Sequence, residues 1–258
     1  MNWTVFRRMA SAVVIAGVLS GVALTGVQQL QVSKIILQAE VYEQAAEQHE
    51  HSHEHAAAPE SATAATTAPS AEMPAASTSA AVAEHEHEHG GDEWEPANGV
   101  ERTGYTVLAN VSMAVGFALM LVAAIAVSGR QVGWRSGLLW GVAGYLVFFV
   151  APSLGLPPEV PGTMAAPLHA RQLWWVMTAG LTAGGLGLIV YARAWWWKLA
   201  GAVLLVVPHL IGAPQPEMHG GAAPAELAQA FIHATAIANA FFWLVLGGLT
   251  GFFYKKFA

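Results

Sequence analysis

Long apolar runs separated by short polar or charged segments dominate this 258-residue chain. A helix needs about 20 consecutive apolar residues to cross the hydrocarbon core of a bilayer. Six runs approach or exceed that length: 9–31, 105–128, 136–150, 171–192, 199–212 and 225–253. The pattern predicts an all-α, polytopic membrane protein with six transmembrane helices.

The first run follows Arg7 and Arg8, an arrangement that also occurs in cleaved signal peptides. The run is long, however, and it ends at Gln28, Gln29 and Gln31 without a small-x-small cleavage site. We therefore interpret it as a retained span.

A long polar segment between the first two spans divides the chain into three regions. We predict a first transmembrane helix in 1–31, a flexible His/Glu-rich loop in 32–104 and a five-helix transmembrane bundle in 105–258. Residues 32–48 are good helix formers and extend the first helix. Residues 59–83 are rich in Ala, Ser, Thr and Pro, a composition that predicts a disordered linker.

The net charge of −6 conceals a sharp division of charge along the chain. With six spans, one side of the membrane carries eight basic residues and no acids: Arg7, Arg8, Arg130, Arg135, Arg193, Lys198, Lys255 and Lys256. The other side carries Lys34, Arg102, Arg171 and all 17 carboxylates. The positive-inside rule then predicts a bacterial inner-membrane protein with both termini cytoplasmic and the 32–104 loop periplasmic.

The absence of cysteine excludes disulfides and thiolate metal sites. A bound metal would need imidazole, carboxylate, carbonyl or thioether ligands, which suit cobalt, nickel, zinc or copper(II). No phosphate-binding loop, HExxH motif or nucleophile elbow is present, so we expect the chain not to be an enzyme.

Two histidine tracts, HEHSHEH and HEHEH, are the strongest chemical signal in the chain. They hold seven of its eleven histidines: His49, His51, His53, His55, His85, His87 and His89. Imidazoles meet in twos or threes whether the tract is extended or helical, and neighbouring glutamates add oxygen ligands. Such flexible sites suit the capture of a divalent metal. A solvated spacer and a pH-responsive tether are the alternatives.

The other four histidines, His169, His209, His219 and His233, are predicted at or near the outer membrane surface. Ionisable groups at membrane depth are functional candidates because burying them is costly. His209 follows Pro208, which removes a helical hydrogen bond and frees a carbonyl. These histidines could ligate metal, or they could hydrogen-bond between helices as packing groups. Two GxxxG patterns, Gly137–Gly141 and Gly180–Gly184, predict close helix packing.

Several stretches together resemble the family of the predicted cobalt transporter subunit CbtA. They are FRRMASAVVIAGVLSGVALTG at 6–26, PSLGLPPEVPG at 152–162, PHLIGAPQP at 208–216 and FFWLVLGGLTGFFYKKF at 241–257, with the His-rich loop. The resemblance implies cobalt uptake for cobalamin biosynthesis and a small single-span, histidine-containing partner subunit, CbtB. This chain departs from the family in its split histidine loop and in six predicted spans, where about five are usual.

We therefore expect a cobalt uptake subunit whose outer loop captures metal. The alternative is a membrane-anchored metal buffer or sensor that translocates nothing. The expected partners are a divalent metal ion, the lipid bilayer and CbtB, with no nucleic acid. We expect no tightly bound cofactor, and cobalt(II) as the transported ion, with nickel or zinc as alternatives.

Overall fold

The computed structural model describes residues 3–56, 96–218 and 220–257, and in these ranges it is helical without any β-strand. The helices are α1 (Trp3–Leu30), α2 (Val32–Ala56), α3 (Val100–Ser128), α4 (Trp134–Tyr145), a π-helical turn (Leu146–Val150), α5 (Ala151–Ser153), α6 (Leu168–Tyr191), α7 (Trp195–Ile211) and α8 (Ala225–Phe257). The all-α fold is confirmed.

Within residues 3–56, 96–218 and 220–257, five helical segments are long and apolar enough to cross a membrane, namely Arg7–Leu30 of α1, α3, Trp134–Ser153, α6 and α8. The fifth predicted span, 199–212, corresponds to α7, which is also apolar but has only 17 residues. Seventeen residues is near the lower limit for crossing the hydrocarbon core. The chain is thus a multi-pass membrane protein, and the part of it that the structure describes has five long candidate spans and one short apolar helix.

Helix α8 lies at the centre of the bundle and contacts α1, α2, α3 and α4. Its Phe242, Trp243 and Leu246 are fully buried. The indole of Trp243 stacks on the Phe148 ring with 5.5 Å between ring centroids, which ties the π-helical turn to α8.

Glycines allow α4 and α8 to approach until their backbones touch. A Cβ built on Gly137 would lie 2.9 Å from Gly251 Cα, and one built on Gly247 would lie 2.6 Å from Gly141 Cα. The predicted Gly137–Gly141 packing motif is therefore confirmed. The same prediction for Gly180–Gly184 is wrong, because a Cβ on Gly180 meets nothing within 4 Å.

Helices α6 and α7 form an antiparallel hairpin that packs through Gly185 and Gly201. Beyond α7, the main contacts of α6 are with the π-helical turn and α5. The hairpin is consequently joined to the other helices mainly through the short segment 146–153.

The two ends of the bundle differ in charge. We call the end with Arg130 and Lys255 the basic end; there the Arg130 guanidinium lies 4.7 Å from the centre of the Tyr191 ring. We call the opposite end the acidic end; it holds the ion pairs Glu40–Arg102 and Glu159–Arg171.

The segment predicted as a flexible loop, 32–104, is partly helical. Helix α2 occupies Val32–Ala56, and α3 already begins at Val100. The expected helix over 32–48 therefore continues for eight residues and includes the first histidine tract. The predicted linker and the second tract lie in 57–95, outside the described residues.

Candidate functional site

Helix α2 is held against the acidic end of the bundle by three contacts. Its Ala39 is fully buried, and Glu40 forms an ion pair with Arg102 near the start of α3. Farther along, Glu43 lies against Gly162, where an added Cβ would be 3.2 Å from Glu43 Cβ. This part of α2 is therefore a fixed part of the structure.

The loop 154–167, which α2 contacts at Gly162, is hydrogen-bonded to a second loop, 212–224. Residues 154–167 and 212–224 pair through the Met164 N–H, which donates to the Gly220 carbonyl at 3.0 Å, and the Ala222 N–H, which donates to the Gly162 carbonyl at 3.1 Å. Arg171 at the start of α6 reaches back to Glu159, with 2.9 Å between nitrogen and oxygen. The two loops form a single layer over the acidic end.

The first histidine tract forms the end of α2 beyond this layer. His49 is six residues after Glu43, a separation of about 9 Å along a helix axis. Because the backbone is helical, positions 49 and 53 are about one turn apart, as are positions 51 and 55. Two histidines at this spacing on one helix face are a common metal-binding pair. Of the extended and helical conformations considered for this tract, the structure shows the helical one.

His209 is half-buried in the last turn of α7, where Pro208 lies inside an unbroken helix. The imidazole packs edge-on against Trp174 of α6, with 6.2 Å between ring centroids. Pro208 has no N–H for the carbonyl of Leu204, as expected for a proline four residues later.

The other membrane-proximal histidines lie apart from this contact. His169 is exposed in the first turn of α6, and His233 is exposed on α8 beside Ala234. The Ala234 carbonyl accepts a hydrogen bond from Gln31 at 3.4 Å, so His233 is level with the junction of α1 and α2. His219, like His85, His87 and His89, lies outside the described residues. Within 3–56, 96–218 and 220–257, no three His, Asp or Glu residues form a group able to hold a metal.

A polar strip on α6 was not anticipated from the sequence. The Trp174 Nε1 and the hydroxyls of Thr178 and Thr182 are buried and have no hydrogen-bond partner among the described residues. They share the α6 face that carries Gly185 against α7. Since α6 and α7 are antiparallel, Thr178 is opposite Pro208. These three positions are four residues apart, and this spacing is the sequence signal that could have placed them on one helix face.

A second polar cluster lies between α1 and α3. The Asn110 amide donates to the Thr25 hydroxyl at 2.9 Å and to the Gln28 carbonyl oxygen at 2.6 Å. Asn110 is therefore a packing group that joins two helices, and Gln28 is its unanticipated partner.

The family described as "Probable cobalt transporter subunit (CbtA)" matches residues 6–255, nearly the whole chain. The chain belongs to the CbtA family. The identification from sequence stretches is confirmed, and the family implies cobalt as the transported substrate and a partner in a transporter complex. A transporter subunit is not an enzyme class. The comparisons with curated proteins and with solved structures found no match.

Proposed function

We propose that this CbtA family protein imports cobalt(II) across the bacterial cytoplasmic membrane, and that its histidine tracts capture the ion outside. In this topology the acidic end faces the periplasm and the basic end faces the cytoplasm. Carboxylates and imidazoles at the acidic end attract divalent cations, and in the described part of the chain the basic end carries no acidic side chain.

The anchoring of α2 is the observation that carries the proposal. Helix α2 is fixed to the loop layer through Glu43 and Gly162. The first tract, His49 to His55, lies in the next three turns of the same helix. An ion bound to this tract is thus held near the loops that lead into α6 and α8. Tethering near the translocation route raises the effective metal concentration there.

From the tract, the ion passes to the four remaining histidines, His169, His209, His219 and His233. His209 is half-buried, whereas His169 and His233 are exposed. His209 leads to the polar strip of Trp174, Thr178 and Thr182 between α6 and α7. An inside-negative membrane potential of 100 mV would favour inward movement of a divalent ion by about 4.6 kcal/mol. The chain needs no nucleotide hydrolysis of its own for uphill uptake.

The word "subunit" in the family description supports a partner. We propose the single-span, histidine-containing protein CbtB for that role and cobalamin biosynthesis as the use of the cobalt. Nickel or zinc would compete at the tracts because flexible imidazole sites select poorly among these metals.

Uptake of radiolabelled cobalt by cells that produce the chain, with and without the partner, tests this function. We expect time-dependent accumulation that a protonophore abolishes. Surface binding that a chelator removes fully, without accumulation, would instead identify a metal buffer or sensor.

The proposed topology predicts where reporter fusions are active. A reporter fused after Lys256 should be active in the cytoplasm, and one inserted near Ala75 should be active in the periplasm, because the basic residues lie at one end. Paired phosphatase and fluorescent-protein fusions measure this. Two reporters on the same side of the membrane would contradict the topology.

His209 gives a sharper test of the route. His209→Ala should abolish uptake even at saturating cobalt, while the purified protein still folds, because the exposed His169 and His233 cannot replace the half-buried ligand beside the polar strip. His209→Asn keeps hydrogen-bonding capacity but binds cobalt poorly, so it should fail as well. Normal uptake by the Asn variant would make His209 a packing residue.

A further inference from the structure

Two cavities adjoin at the basic end, and they share Arg130, Gln131 and Val132. The larger has a volume of about 690 Å³ and lies between α3, α4, α6 and α8. The smaller has a volume of about 260 Å³ and lies between the α3–α4 turn and the end of α8. Their junction joins an apolar space to a polar one.

The larger cavity is lined almost entirely by apolar side chains from the membrane-spanning part of the helices. Met120, Leu139 and Val190 line it and are strongly exposed, so the cavity opens to the lipid side of the bundle. Gly187 of α6 also lines it, and a Cβ at Gly187 meets nothing within 4 Å. This space suits a hydrocarbon chain.

The smaller cavity is lined by Arg130, Gln131, Tyr254 and Lys255 with Gly129 and Val132. Among the residues that the structure describes, no acidic side chain lies at this end, because the sequence has none in 102–158, 160–216 or 227–257. Arg130 and Lys255 therefore present positive charge without a neutralising acid. Such a polar space suits an anionic head group.

We propose that these two cavities form one binding site for an anionic phospholipid of the bilayer. Its phosphate lies between Arg130 and Lys255, and one acyl chain fills the space between α6 and the α3–α4 pair. Because the α6–α7 hairpin is joined to the other helices mainly through 146–153, the lipid supplies packing that the polypeptide lacks there. Binding of this lipid does not depend on cobalt transport.

The head-group half of the site is tested with full-length protein purified in detergent and titrated with phosphatidylglycerol. Native mass spectrometry and thermal unfolding are the two measurements. Wild type should retain the lipid and gain thermal stability, whereas phosphatidylcholine with the same chains should have little effect. The Arg130→Gln/Lys255→Gln double variant should bind at least about tenfold more weakly.

Arg193→Gln is the matched control, since Arg193 is a basic residue at the same end that lines neither cavity. It should bind phosphatidylglycerol as wild type does. Equal weakening in the control and the double variant would mean general surface attraction and would overturn the site.

The part of the site that would hold the acyl chain is tested by substituting two glycines of α6. Both glycine positions have room for a larger side chain. Gly187→Leu fills part of the cavity and should lower the affinity for phosphatidylglycerol, whereas Gly180→Leu, outside the lining, should not. Unchanged binding by Gly187→Leu would overturn the proposal. The proposal would also be overturned if a helix of a partner subunit excluded lipid fully in the purified complex, because the cavity would then be a protein interface.

Discussion

Gly247→Ala is expected to destabilise the folded protein by about 1–3 kcal/mol or more, because it places a methyl group inside the α4 backbone. The added Cβ would lie 2.6 Å from both the Cα and the N of Gly141. Both neighbours are backbone atoms, so no side chain can move to make room. We expect the apparent melting temperature of the purified protein to fall by roughly 5 °C or more, and its level in the membrane to fall with it.

Gly248→Ala is the matched control one residue later on the same helix. Its Cβ would meet the side chain of Leu138, with Cδ2 at 3.3 Å and Cγ at 3.9 Å, and that side chain can shift. Alanine favours a helix over glycine by about 1 kcal/mol, so helix propensity alone would raise stability in both variants. A melting temperature as high for Gly247→Ala as for Gly248→Ala would contradict the close α4–α8 packing.

Replacing all seven tract histidines by glutamine is expected to raise the cobalt concentration for half-maximal uptake about tenfold or more. The maximal rate should stay within about twofold, because the tracts concentrate the ion and do not form the translocation route. Glutamine forms helices well, so α2 should persist. Initial rates of radiolabelled uptake over a range of cobalt concentrations measure both quantities.

Dividing the substitutions between the tracts adds a structural test. Because α2 anchors His49 to His55 near the loop layer, replacing that tract alone should have the larger effect. Deletion of 60–83, which removes no histidine, is the control and should leave uptake close to wild type. Loss of uptake at saturating cobalt in the substituted protein would make the tracts part of the route.

The class of protein and the positions of its spans follow from the amino-acid sequence alone. A bilayer requires long apolar runs whose backbone polar groups are satisfied within each helix, so the spans are visible without knowledge of tertiary contacts. Helices α1, α3, α6 and α8 accordingly appear where the hydropathy pattern predicts them. The charge division and the histidine tracts are equally local features of the chain.

Which faces of those helices meet is known from the folded structure and not from the sequence. Gly137–Gly141 and Gly180–Gly184 have the same spacing, yet only the first pair faces another backbone, since helix contact depends on distant residues. The same reason explains why Thr178 and Thr182 are buried, and why Glu43 meets Gly162 across more than a hundred residues. Hydropathy and residue spacing are properties of a single segment of the chain. An interface, a cavity or an anchored helix forms only where two segments that are distant in the sequence come together.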